Sequence, residues 1–96
     1  MMVLVSYDVS TTTPAGVRRL HKIAKICVDY GIRVQNSVFE CQVEPQQWEV
    51  FKSKVFKVFN PEQDSLRFYF MGKNWKKRIE HYGAGPENDP EATLII

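Results

Sequence analysis

Apolar and polar residues alternate at the start of the chain, and the period then changes to that of a helix. Val3-Leu4-Val5-Ser6-Tyr7-Asp8-Val9 reads as a buried strand: Val3, Val5, Tyr7 and Val9 share one face, and Met2, Leu4, Ser6 and Asp8 share the other. Thr11-Thr12-Thr13-Pro14 is a helix start, with Thr13 as N-cap and Pro14 at the first helical position. The helix is expected to reach about Tyr30, where Gly31 ends it. Leu20, Ile23, Ala24 and Cys27 form its apolar stripe, and Arg18, Lys22, Lys25 and Asp29 fall on the opposite side. Ile32 to Val43 reads as a hairpin or one kinked strand, broken near Gln35-Asn36. Pro45 opens a second helix, in which Trp48, Phe51, Val55 and Val58 recur at helical spacing and Asn60-Pro61 gives the stop. Leu66 to Met71 alternates again, with Leu66, Phe68 and Phe70 inward. A basic loop from Gly72 to Lys77 follows, then a short fifth strand over Ile79 to Tyr82.

The order β-α-β-β-α-β predicts an α+β fold of the ferredoxin-like type, two helices packed on one face of an antiparallel sheet. The other face lacks a helix, and Ser6, Asp8, Arg67 and Tyr69 fall on it if the register allows. Such a face calls for a partner, commonly a second copy. Residues 1–82 form the domain. Residues 83–96 form a linker, Gly83-Ala84-Gly85-Pro86-Glu87-Asn88-Asp89-Pro90, and an apolar end, Thr93-Leu94-Ile95-Ile96, suited to adding to a sheet edge.

At 96 residues, 44% hydrophobic and 25% charged, the chain has the composition of one globular domain. The net charge of +2 says little about partners, but its distribution says more. Pro14 to Arg33 carries Arg18, Arg19, Lys22, Lys25 and Arg33 against Asp29. Ser65 to Tyr82 carries Arg67, Lys73, Lys76, Lys77 and Arg78 against Glu80. Two such segments can form a positive face, which would attract phosphates. Cys27 and Cys41 lack metal or redox spacing and read as buried, reduced thiols. With no stretch near the ~20 apolar residues of a membrane span and no signal-peptide pattern, the expected location is the cytoplasm.

The candidate chemistry centres on Asp8, the only acid in the first 28 residues, at the end of a strand and followed by a basic helix. The ordinary reading of such a residue is an aspartate that hydrogen-bonds the next turn. The chemical reading is a metal or phosphate site. One carboxylate holds Mg²⁺ poorly unless water, phosphate or another copy supplies the remaining ligands. A twofold axis beside Asp8 would bring two carboxylates together. Lys73-Asn74-Trp75-Lys76-Lys77-Arg78 mixes cations with an indole, a combination that binds nucleic acid or simply makes a lysine-rich turn. Arg33 pairs either with an acid such as Glu40 or with a phosphate. His21 and His81 have no zinc spacing, and no phosphate loop or nucleophile elbow is present.

Three blocks, VLVSYDVS, RRLHKIAKICVDYG and RVQNSVFEC, resemble the CRISPR-associated Cas-two family of spacer-acquisition proteins. The likeness covers about residues 1–82. It implies a ferredoxin-like homodimer with Asp8 of both subunits facing a divalent metal, usually magnesium. It further implies a metal-dependent endonuclease acting on RNA or DNA, and a central dimer for the Cas-one integrase. The alternative is a non-catalytic DNA-binding adaptor that bridges integrase subunits. A toxin-type ribonuclease of the same fold is a third, weaker reading. Carried over by resemblance, the catalytic and metal-binding residue is Asp8. Tyr7, Arg33, Phe39 and one of Arg18 and Arg19 are implied nucleic-acid contacts, joined by Lys76, Lys77 and Arg78 from the basic loop.

Overall fold

The computed structural model describes residues 1–72 and 79–84. Within them the chain forms β1 (Met2–Asp8), α1 (Pro14–Tyr30), β2 (Gly31–Gln35), β3 (Val38–Gln42), α2 (Pro45–Val58), β4 (Ser65–Phe70) and β5 (Ile79–Gly83). The strands form one antiparallel sheet in the order β2-β3-β1-β4-β5. That is the ferredoxin-like order of four strands, with the short fifth strand added outside β4. The hairpin turn falls at Asn36-Ser37, one residue from the expected break.

The strand alternation places the core. Val3, Val5 and Tyr7 of β1, Phe39 and Cys41 of β3, and Leu66, Phe68 and Phe70 of β4 all point toward the helices. Ile23 and Cys27 of α1 and Trp48, Phe51 and Val55 of α2 meet them from above. Trp48 stands edge-on to Phe68 at 4.7 Å and to Phe70 at 5.6 Å, an arrangement that complements the ring quadrupoles. Because side chains alternate across a strand, the next residues must point the other way. Ser6 opposite Arg67, Leu4 opposite Tyr69, and Asp8 opposite Ser65 therefore share the face that no helix covers.

Local chemistry explains the element ends. The Thr13 hydroxyl accepts the Gly16 N–H at 3.1 Å and caps α1, and Pro14 occupies the first turn. At the start of α2 the Glu44 N–H donates to the Gln47 side-chain carbonyl at 2.8 Å. Gly31 ends α1 as expected, but not through a left-handed turn, since its backbone is extended (φ −158°). Its lack of a side chain answers a different need: a Cβ there would run into the Glu40 carbonyl oxygen and lie 2.7 Å from Cys41 Sγ. Glycine lets β2 leave the helix directly against β3. At the end of β5, Gly83 does adopt the left-handed region (φ +92°), over the Asp64 carbonyl.

Both cysteines are fully buried free thiols. Burial pushes Cys27 up to about 12 and Cys41 up to about 11, so the thiolate is scarce at neutral pH. In the native protein both should react with a thiol reagent at pH 8 about a hundredfold or more slowly than in the unfolded chain, since the thiolate is the nucleophile. Rapid labelling without denaturant would contradict the packing.

Candidate functional site

Asp8 ends β1 on the helix-free face and is exposed. Its carboxylate has no hydrogen-bond or ion-pair partner among the described residues. The reason is positional: β1 stops there, and its cross-strand neighbour Ser65 offers only a short hydroxyl side chain. One strand pair further in, Arg67 lies opposite both Ser6 and His81. Arg67 donates to His81 Nδ1 from Nη2 at 2.9 Å and from Nε at 3.2 Å, so that nitrogen accepts. The other ring nitrogen then carries the hydrogen and donates to the Ala84 carbonyl at 3.1 Å. The open face thus presents a free carboxylate beside a guanidinium held by a neutral imidazole.

The two expected helix arginines separate. Arg18 is exposed, whereas Arg19 turns inward onto Asp64. Its Nε meets Asp64 Oδ2 at 2.7 Å and its Nη2 meets Oδ1 at 3.1 Å, the two-pronged geometry that a guanidinium favours. Asp64 is fully buried and also accepts the Ser10 N–H at 3.1 Å and the Asn60 N–H at 2.9 Å. Burial pushes its carboxyl up. The Arg19 bonds and the two backbone N–H groups outweigh that and hold it below its ordinary value.

Tyr7 and Phe39, expected to touch nucleic acid, need correction. Tyr7 is 3% exposed and Phe39 is fully buried, and their rings stack at 6.1 Å inside the core. Their strand positions share the apolar face with Val5, so neither ring reaches a base. Among the described residues the Tyr7 hydroxyl has no hydrogen-bond partner. Burial raises its pKa, and Arg33 nearby pulls the other way. Arg33 is exposed at the β2 edge with its guanidinium 5.1 Å from the Phe39 ring centroid. The pairing with Glu40 is not made: Glu40 faces Ile32 on the opposite side of the sheet. Arg33 thus lids the core and keeps its outer donors toward solvent. Lys76, Lys77 and Arg78 lie outside the described residues, as does the apolar end Thr93–Ile96.

Sequence reasoning missed Asp64. Its only signal is local: Asn60 begins the turn after α2, its side chain accepts the Glu62 N–H at 2.9 Å, and its carbonyl accepts the Asp64 N–H at 2.7 Å. The partner, Arg19, lies 45 residues earlier in the chain. A cleft of about 410 Å³, lined by Met1, Trp48, Lys52 and Phe70, opens at the other end of β1, away from Asp8.

The donor chemistry of Asp8 suits a hard cation such as Mg²⁺, which takes carboxylate oxygen and keeps several waters. Among the described residues no three carboxylate, imidazole or thiol groups come together. No helix among them is long and apolar enough to cross a membrane.

Five antiparallel strands with two helices on one face define an α+β protein of the ferredoxin-like type. The family described as CRISPR associated protein Cas2 matches residues 1–79. A relative from Chlorobaculum tepidum named CRISPR-associated endoribonuclease Cas2 is 58% identical over 96 residues, all of both chains. One from Nitratidesulfovibrio vulgaris with the same name is 54% identical, over all of this chain and 94% of its own. The crystal structure of Streptococcus pyogenes Cas2 at pH 6.5 superposes with a TM-score of 0.71 at 56% identity, covering 83% of this chain and 96% of that one. The chain belongs to the CRISPR-associated Cas2 family.

A depressed carboxyl stabilises the fold above the ordinary carboxylate range, and that contribution is lost as pH falls through its folded value. Replacing Asp64 with Asn should cost about 2–3 kcal/mol at neutral pH, below the ~3–5 of a wholly enclosed pair because Arg19 keeps a path to water. Urea titrations from pH 7 to pH 3 should show the gap between wild type and variant closing as the pH drops. A gap constant with pH would mean that ionised Asp64 contributes nothing.

Proposed function

We propose that two copies of this chain place their Asp8 carboxylates together to hold Mg²⁺, and that this dimer is an endonuclease hydrolysing phosphodiester bonds of RNA or DNA during CRISPR spacer acquisition. The observation that carries the reading is the Asp8 carboxylate, exposed on the helix-free face with no partner within the described residues. A charged side chain left free at a strand end is available to a ligand, and a symmetric second copy supplies the matching carboxylate. The bound metal would polarise the phosphodiester and ease ionisation of a water.

The chain's own residues have separate tasks. Asp8 supplies the carboxylate oxygens for the metal. Arg18 on the exposed face of α1, Arg33 at the β2 edge, and Lys76, Lys77 and Arg78 attract the phosphate backbone. Arg67, fixed by His81, adds a positive charge on the face that carries Asp8. Tyr7 and Phe39 act indirectly, by packing the strand that ends in Asp8. The names of the relatives, as endoribonucleases, support nuclease activity.

With Asp8 as the one proposed metal-binding acid of each chain, a second reading also stands, a non-catalytic adaptor that bridges Cas-one integrase subunits on DNA. Asp8→Asn separates the two. The substitution is nearly isosteric at an exposed position, so fold and dimer should survive while Mg²⁺-dependent cleavage falls to background, with EDTA as the metal-free control. Unchanged cleavage by the purified variant would remove Asp8 from the chemistry. Integrase-dependent DNA capture that persists without cleavage would support the adaptor.

The arginines make a further contrast. Arg18→Ala should reduce the slope of log affinity against log salt by about 0.7–0.9, the value of one phosphate contact, with stability unchanged. Arg19→Ala should instead lower the urea midpoint, since its guanidinium is spent on Asp64. The reverse pattern would mean that the roles are exchanged.

A further inference from the structure

We propose that Asp64 and Arg19 are positioning residues for Asp8, setting where its carboxylate stands; this rests on the reading of Asp8 as the metal ligand. Asp8 makes no side-chain bond of its own among the described residues, so only the backbone on either side of it fixes its direction. Both sides lead to Asp64. On the chain side, the Ser10 N–H, two residues after Asp8, donates to Asp64 Oδ1 at 3.1 Å. On the sheet side, Ser65, the residue after Asp64, is the cross-strand partner of Asp8.

One buried carboxylate therefore holds the exit of β1 and lies next to the start of β4. It is itself held by Arg19 of α1 and by the Asn60 N–H just past α2, while its carbonyl accepts the Ala84 N–H at 2.8 Å beyond β5. The carboxylate has four donors at fixed directions, so it cannot shift without breaking several bonds. An apolar side chain of the same volume would fill the space, and buried ion pairs of this kind are a weak source of stability by comparison. What an apolar group cannot do is bind the Ser10 N–H and fix the turn that aims Asp8.

A misplacement of about 1 Å at a reacting group costs about a hundredfold in rate. The test uses the full-length chain with Asp64→Asn, Arg19→Gln and Arg19→Lys, below the melting temperature of each. Three quantities are measured: hydrogen exchange at the Ser10 amide, calorimetric affinity for Mn²⁺ alone, and kcat and KM for cleavage of an oligonucleotide. Asp64→Asn and Arg19→Gln should expose the Ser10 amide, weaken Mn²⁺ about tenfold and lower kcat about 10- to 100-fold with KM unchanged. Arg19→Lys should restore part of each loss. Combining Asp8→Asn with Asp64→Asn should weaken Mn²⁺ no further than Asp8→Asn alone.

If Asp64→Asn does not fold, the two Arg19 variants carry the same comparison. Wild-type Mn²⁺ affinity and kcat in the folded variants, with both lost in Asp8→Asn, would overturn the positioning role and leave the reading of Asp8 intact. Wild-type values in Asp8→Asn itself would instead overturn that reading, and the inference with it.

Discussion

The contact between Asp64 and Arg19 is where the separate elements of this fold are joined. Asp64 is the only charged residue fully enclosed among the described residues, and an ion without partners in such a place would cost several kcal/mol. Its four donors come from three segments: the turn after β1, helix α1 and the turn after α2. Satisfying the charge therefore requires these segments to arrive together. The apolar core supplies most of the driving force, but it is tolerant of small shifts, whereas a set of directed hydrogen bonds is not.

The sheet imposes the second constraint. Helices on one face close the core and leave the other face open. A period of two then gives adjacent residues opposite tasks. Tyr7 stacks on Phe39 inside the protein, and Asp8, the next residue, stands in solvent. The same alternation separates Phe68 from Arg67 on β4 and Tyr82 from His81 on β5. Asp8, Arg67 and His81, from three strands, thus collect on one surface though far apart in sequence.

The electrostatics of the arginines follows from which charges are already matched. Arg19 is neutralised inside the protein, Arg67 rests on an uncharged imidazole, and Arg33 lies over an aromatic ring. Among the described residues only the first faces an anion. The others have no carboxylate partner among the described residues.

Much of this was legible in the residues themselves. The alternation of Val3, Val5 and Tyr7, the Thr13-Pro14 cap, the stripes of Ile23 with Cys27 and of Trp48 with Phe51, and the break at Asn36 are local signals, and each produced its element. Asp8 stood out because no other acid lies near it in sequence. The pairing of residues distant along the chain was not legible. Arg18 and Arg19 are indistinguishable as neighbours in a basic string. Only the helix's orientation, about 100° of rotation between successive residues, sends one to solvent and the other to Asp64. Tyr7 and Phe39 resembled contact residues until the register showed that they face each other through the core. Local periodicity determined what each segment became. The packing of the segments decided which charges met and which were left free, because that depends on distances between residues that the chain brings together only when it folds.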